Sequence, residues 1–170
     1  MTSLLLSIFP FAMLAAAATD LATMTIPNRL VAALGAGFLA FALLSGWSAP
    51  AIGLHLVVGL AALAITFGFF SAGWMGGGDA KLVAATALWL GPGPDLMRYT
   101  VLASIFGGIL TALLLVVRLV LSPTTGFASA DRLLDRASGI PYGVALGAAG
   151  MVVFLEADWS IPLRALLGGS

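Results

Sequence analysis

Apolar residues along this chain gather into long, near-uninterrupted runs, each closed by proline, glycine or a short polar cluster. Read as helices, these runs predict six spans. The first covers residues 3–25 with a kink at Pro10, and Ile26-Pro27-Asn28 ends it, because proline disfavours helix in the residue before it. The second runs over 29–44 and stops at Ser45-Gly46; the third covers 51–71. The fourth starts at Asp79 or Ala80 and ends before Gly91-Pro92-Gly93-Pro94. The fifth runs over 99–121 up to Ser122-Pro123, and the sixth over 142–155. Between the last two, residues 127–138 set Leu133 and Leu134 among charges and predict a short interfacial helix. Its Arg132 and Arg136 are expected to reach anionic lipid.

Composition turns this pattern into a fold class. Of 170 residues, 61% are apolar and only 8% charged, against about a quarter charged in a soluble domain. The expectation is an all-α, polytopic integral membrane protein of about six transmembrane helices, with residues 1–170 forming one membrane-embedded domain. Seven basic residues balance seven acidic ones, so no basic field exists to hold nucleic acid. The absence of cysteine removes disulfides, thiolate zinc sites and cysteine nucleophiles together. Met1-Thr2-Ser3 lacks the positive opening of a secretory signal, so the first run is read as a retained helix.

Charge in the connections orients the spans. One side holds Arg29, Lys81, Arg118, Arg132 and Arg136, the other only Arg98 and Arg164. Under the positive-inside rule the loops beside Asp20 and Asp79 face the cytoplasm and both termini face out. Trp47, Trp89 and Trp159 fall at the outer boundary and Trp74 near the inner one, as an aromatic belt. Gly143 to Gly147 is a GxxxG spacing that lets helices pack closely. His55 is the one histidine, near the outer end of the third span, with no companion for a metal. No metal or other cofactor is called for.

The chemistry concentrates in Gly76-Gly77-Gly78-Asp79-Ala80-Lys81. From Ala80 to Leu90 a helix climbs about 16 Å, about half of a ~30 Å hydrocarbon core, which sets Asp79 below the membrane surface. The glycine run is then non-helical backbone at membrane depth, a conformation tolerated only inside protein or along a wet cavity. Asp20 reaches a similar depth, with Leu21, Met24 and Ile26 carrying the first helix past it. Each acid has a plainer reading: an aspartate before a helix caps it, and one near a helix end is hydrated at the interface. Together, on one side, they make a candidate dyad.

Paired carboxyls supply what amide hydrolysis needs. Two of them a few ångströms apart share one proton, so one activates water while the other polarises the carbonyl. Which aspartate plays which part is not assigned by sequence. Gly76, Gly77 and Gly78, without Cβ atoms, can lie along an extended substrate and offer it hydrogen bonds. Lys81 is a further substrate-binding candidate; it most simply extends to the headgroups, and the other reading has it shifting the proton affinity of the dyad.

Three stretches carry a family likeness. Asp20-Leu21 with Ile26-Pro27-Asn28, Gly76 through Leu82, and Ile140-Pro141-Tyr142-Gly143 resemble the motifs of the type IV prepilin peptidases, in the short form that serves Flp-type (tight-adherence) pili. The aspartates lie 79 − 20 = 59 positions apart, as in such enzymes. The resemblance implies an aspartyl endopeptidase of the bacterial inner membrane, with Asp20 and Asp79 catalytic. It also implies a pilin-like precursor as partner, cut at the cytoplasmic face to release a short basic leader just before the apolar helix. Longer relatives carry a cysteine-bearing domain and methylate the new terminus; this chain has neither the cysteines nor room for it, so peptidase activity alone is expected. Ala22-Thr23 stands where relatives often place charge. A competing reading makes the same two acids the cation or proton site of a transporter, although no repeated half is evident. Oligomeric state is not legible.

Overall fold

The computed structural model describes residues 2–157, and Trp159 and Arg164 lie outside them. Helices run as α1 (Thr2–Leu6), α2 (Ile8–Thr23), α3 (Asn28–Leu44), α4 (Ala49–Ser71), α5 (Gly77–Leu90), α6 (Pro94–Val120), α7 (Ala128–Leu134) and α8 (Tyr142–Glu156), with no strand among the described residues. The protein is all-helical and polytopic. Three stretches, Leu4–Thr23, Ala49–Ser71 and Pro94–Val120, are long and apolar enough to cross a bilayer, while Asn28–Leu44 and Tyr142–Glu156 are shorter apolar helices.

Local chemistry sets most of the ends. The first span breaks at Ser7 rather than at Pro10, because a proline ring clashes with the carbonyl four residues earlier, here that of Leu6. Ser48 caps α4 by accepting from the Ala51 N–H, with a proline in the first turn. Asp95 in the first turn of α6 and Arg118 in its last complement the helix dipole. The sequence expectation for α6 began later, at residue 99. Pro94 instead opens it, since its fixed φ suits the first helical position.

The core forms where α2 and α8 cross. Phe9, Ala12, Met13, Ala16 and Asp20 are the buried residues of α2, and their three- and four-residue steps put them on one face. Against it stand Gly143, Gly147 and Gly150 of α8. A Cβ on Gly147 would lie 2.5 Å from the Met13 carbonyl oxygen, so only glycine permits this crossing. Farther from Asp20, Trp89 is 4% exposed, donates from its indole N–H to the Leu34 carbonyl at 2.9 Å and packs among Phe9, Phe38 and Phe41. It is a core residue and not part of an interfacial belt. A ring that size has its one polar atom satisfied inside, so nothing draws it to the headgroups. Trp74, by contrast, is 79% exposed. His55 stacks on Phe38, with its Nδ1 2.8 Å from the Leu88 carbonyl oxygen, a structural histidine.

Short α7 lies across the end of the bundle. Arg132 and Ser129 both donate to the Ala22 carbonyl, one of the unpaired acceptors at the end of α2. Arg136 donates to the Arg118 carbonyl. These arginines were expected at lipid headgroups; instead they bond to backbone, because helix ends nearby leave carbonyls without partners. Asp131 accepts from the Thr125 N–H and hydroxyl and from the Gly126 N–H, and those bonds hold its carboxyl below the usual range.

The α2–α8 crossing generates a stability test. Gly147→Ala is expected to lower stability in detergent by about 1–3 kcal/mol through overpacking against Met13. Gly108→Ala, at a position with nothing within 4 Å of a new Cβ, is the control and should leave the melting temperature unchanged or slightly raised.

Candidate active site

Asp20 lies in the last turn of α2, on the face that meets α8, and is 5% exposed. The helix ends three residues later, not at residue 25 as the apolar run suggested. Met24 terminates it in the left-handed region, at φ 56°, the one non-glycine residue with positive φ among those described. That conformation costs about 1–2 kcal/mol for an L-residue. It turns the chain sharply, so that Thr25 and the buried Ile26 cross in front of α5.

The Asp20 carboxylate is held from the far side. Gly143 is the second residue of α8, and its N–H belongs to the donors that a helix start leaves unpaired. Pro141 precedes the helix and supplies no capping side chain. Asp20 takes that place from another helix, its Oδ2 accepting from the Gly143 N–H at 2.7 Å. A charged acceptor at a helix N-terminus is favoured by the dipole as well as by the bond. The approach leaves no room for a side chain: a Cβ on Gly143 would lie 2.8 Å from the Asp20 Cβ.

Asp79 comes from α5, which starts at Gly77 and not at Asp79 or Ala80. Gly76 is the extended N-cap, Gly77 and Gly78 are helical, and Asp79 is the third residue, folded back over its own cap. A Cβ on Gly76 would stand 2.9 Å from Asp79 Oδ2. The run is therefore mostly helical, contrary to the expectation of irregular backbone, because a first turn tolerates glycine where the dipole gains a carboxylate. Its glycines also admit neighbours: a Cβ on Gly78 would lie 3.2 Å from that of Ile26. This contact clamps the turn after Asp20 onto the helix that carries Asp79.

Depth can be read from α4. The Thr66 hydroxyl donates to the Ala80 carbonyl at 3.2 Å, which sets the first turn of α5 level with a residue five positions before the end of α4. At 1.5 Å per residue, Asp79 sits about 8 Å inside that end. α5, with 14 residues, is about 21 Å long, too short to cross a ~30 Å core alone.

Asp20 and Asp79 line one cleft of about 240 Å³, together with Met24, Thr25, Ile26, Gly76, Gly77, Gly78 and Lys81. That volume accommodates several water molecules at about 30 Å³ each. Lys81 reaches across to Asn28, its Nζ donating to Oδ1 at 2.8 Å, rather than extending outward to headgroups. A side-chain amide within reach offers a better-defined partner than bulk headgroups. Two carboxyls, a cation at the rim and space for water are suited to proton transfer onto and off a bound amide. Among the described residues no group of three or more histidines and acids is placed to hold a metal.

Two contributors escaped the sequence reading. Gly143 was read for packing and as part of the motif that opens the last helix, but not for its N–H, which a helix start leaves to a partner and Asp20 takes up. Arg118 was counted only as a loop charge. It is buried, and it donates to the carbonyls of Leu133, Ser138 and Gly139, fixing the strand of chain that leads into Pro141 and Gly143.

Compared with known sequences, residues 7–117 match the family described as the Type IV leader peptidase family, a stretch covering more than half of the chain and both aspartates. No curated protein and no solved structure matches.

Gly143→Ala presses a methyl group onto Asp20 and is expected to lower peptidase turnover roughly 10²-fold. The expected result is that loss with helical content unchanged by circular dichroism. Gly139→Ala, where nothing lies within 4 Å, should turn over as the parent does.

Proposed function

The chain belongs to the Type IV leader peptidase family, and from that premise we propose that it is an aspartyl endopeptidase whose dyad is Asp20 and Asp79. One observation carries the reading: both carboxyls open into the same cleft, each supported by the start of a helix. Nothing else in the described chain offers a nucleophile and base of comparable placement.

In this reading a water molecule sits between the two carboxyls, which hold one proton between them. The unprotonated group takes a proton from the water as it attacks the scissile carbonyl carbon. The protonated partner donates to the carbonyl oxygen, giving a neutral tetrahedral diol. Collapse breaks the carbon–nitrogen bond, and the proton gathered from water passes to the leaving amine. The Gly143 N–H keeps Asp20 aimed at the cleft throughout. Gly76, Gly77 and Gly78 form the wall along which an extended substrate backbone lies, and Lys81 marks its rim.

The substrate we propose is a Flp-type prepilin or related pilin-like precursor, losing a short basic leader. The cut is placed at the cytoplasmic face of the bacterial inner membrane. In support of that orientation, Arg29, Lys81, Arg118, Arg132 and Arg136 gather at the end that holds the cleft, while Arg98, paired with Glu156, belongs to the other. Surrounding lipid is the remaining partner, and the reaction uses water and two acids without a cofactor.

Asp20→Asn and Asp79→Asn are each expected to reduce precursor cleavage by about 10²- to 10⁴-fold, with both variants inserting and melting like the parent. The assay is precursor processing in proteoliposomes, with the new N-terminus mapped by mass spectrometry. Near-parental processing by either variant removes the dyad.

A further inference from the structure

Larger than the carboxylate cleft is an apolar groove of about 440 Å³ between α4 and α6. α4 packs on α5, and α6 packs on α8, so a slot is left between the two long helices. Its walls include Ala61 and Ile65 of α4 and Ala103 and Ser104 of α6. We propose that this groove receives an apolar helical segment of the substrate, the stretch directly adjoining the bond cut at the cleft. The proposal rests on the peptidase reading of that cleft and adds where the membrane-embedded part of the substrate lies.

Three observations favour a peptide helix over a lipid chain. The first is continuity. Met75 and Tyr142 line the groove, and the residues that follow them, Gly76 and Gly143, are the two whose backbone lies against the carboxylates. One end of the groove therefore abuts the reacting centre from both sides. Thr66, also on the groove wall, bonds to the carbonyl of Ala80, the residue after Asp79.

The second is an unmet polar group. Tyr99 lines the groove and is 1% exposed, and its hydroxyl, with that of Thr86 nearby, makes no hydrogen bond of good geometry. A buried hydroxyl so poorly paired gains from any carbonyl brought to it. A lipid tail offers it nothing, whereas a peptide carbonyl freed where a helix opens for cleavage can accept from it.

The third is surface relief. Alanines at 61, 62 and 103 keep the groove shallow-walled, and small residues let a second helix approach closely in lipid, where packing replaces the hydrophobic effect as the attractive force.

The chain contains no cysteine, so single cysteines report cleanly. Ala61→Cys places one in the groove; Val57→Cys, also on α4, places one at an exposed site outside it. Each goes into an Asp79→Asn background that holds substrate without cutting, and the probe is a pilin precursor with one cysteine in its apolar segment. On oxidation in proteoliposomes, the groove cysteine should cross-link at least about tenfold more than the control, equivalent to about 1.4 kcal/mol of preference. Equal yields at the two positions, or none at Ala61→Cys, overturn the proposal and leave the groove to lipid. Cross-linking does not require turnover, so the two readings separate. A parent protein that cuts while the groove stays unlinked defeats the groove alone. A groove that links while the parent protein, with Asp79 intact, cannot cut defeats the peptidase reading and leaves the docking site standing.

Discussion

A carboxylate placed inside a lipid-embedded bundle has to be given partners, and the way Asp20 obtains one organises the structure around it. Its oxygen takes the place of the missing N-cap of α8, bonding the Gly143 N–H at 2.7 Å. The bond requires α2 and α8 to cross at contact distance, and that crossing in turn requires glycine at positions 143 and 147. Neither the acid nor the glycine face is intelligible alone. Leaving the acid without the helix start would leave a buried carboxyl without its hydrogen-bond donor. Leaving the helix start without the acid would deprive the Gly143 N–H of its partner.

The second carboxyl is set by the same device in another form. α5 is too short to cross alone and begins about 8 Å inside the end of its neighbour, and its first turn is glycine up to Asp79. The turn at Met24 and Ile26 then ties the two helices together, with Ile26 pressed against the Gly78 backbone. Both acids thus reach the same hollow from helices that never need to be adjacent in sequence. A third layer, made by Arg118 and α7, holds the stretch that leads into Gly143 and caps the open carbonyl of Ala22. The match to the Type IV leader peptidase family runs over residues 7–117, which contain both aspartates.

Much of this was legible in the sequence, for reasons that differ element by element. The spans could be read because in lipid almost every position of a helix is apolar and breaks must come at proline, glycine or polar clusters. Asp20 and Asp79 stood out because an acid at membrane depth is costly. The glycine face of α8 was visible as a spacing, but its second role was not. A backbone N–H has no letter of its own, and only the start of a helix makes it available. Arg118 was misread for a related reason: three carbonyls bind it, and carbonyls are the same at every residue. Trp89 was placed at the interface because aromatic residues gather there, whereas its partner, the Leu34 carbonyl, lies on a helix distant in sequence.

The central claim is that two carboxyl-bearing positions, 59 residues apart, converge on one hydrated hollow in the bilayer-embedded protein. The most direct measurement puts Asp20→Cys and Asp79→Cys together in the cysteine-free chain, reconstitutes it in lipid and treats it with a short dithiol-bridging reagent. Convergence predicts one intramolecular bridge joining those two positions by peptide mapping, and none when Asp20→Cys is paired with Asp95→Cys from the first turn of α6. Full access of both cysteines to reagent with no bridge between them would contradict the account.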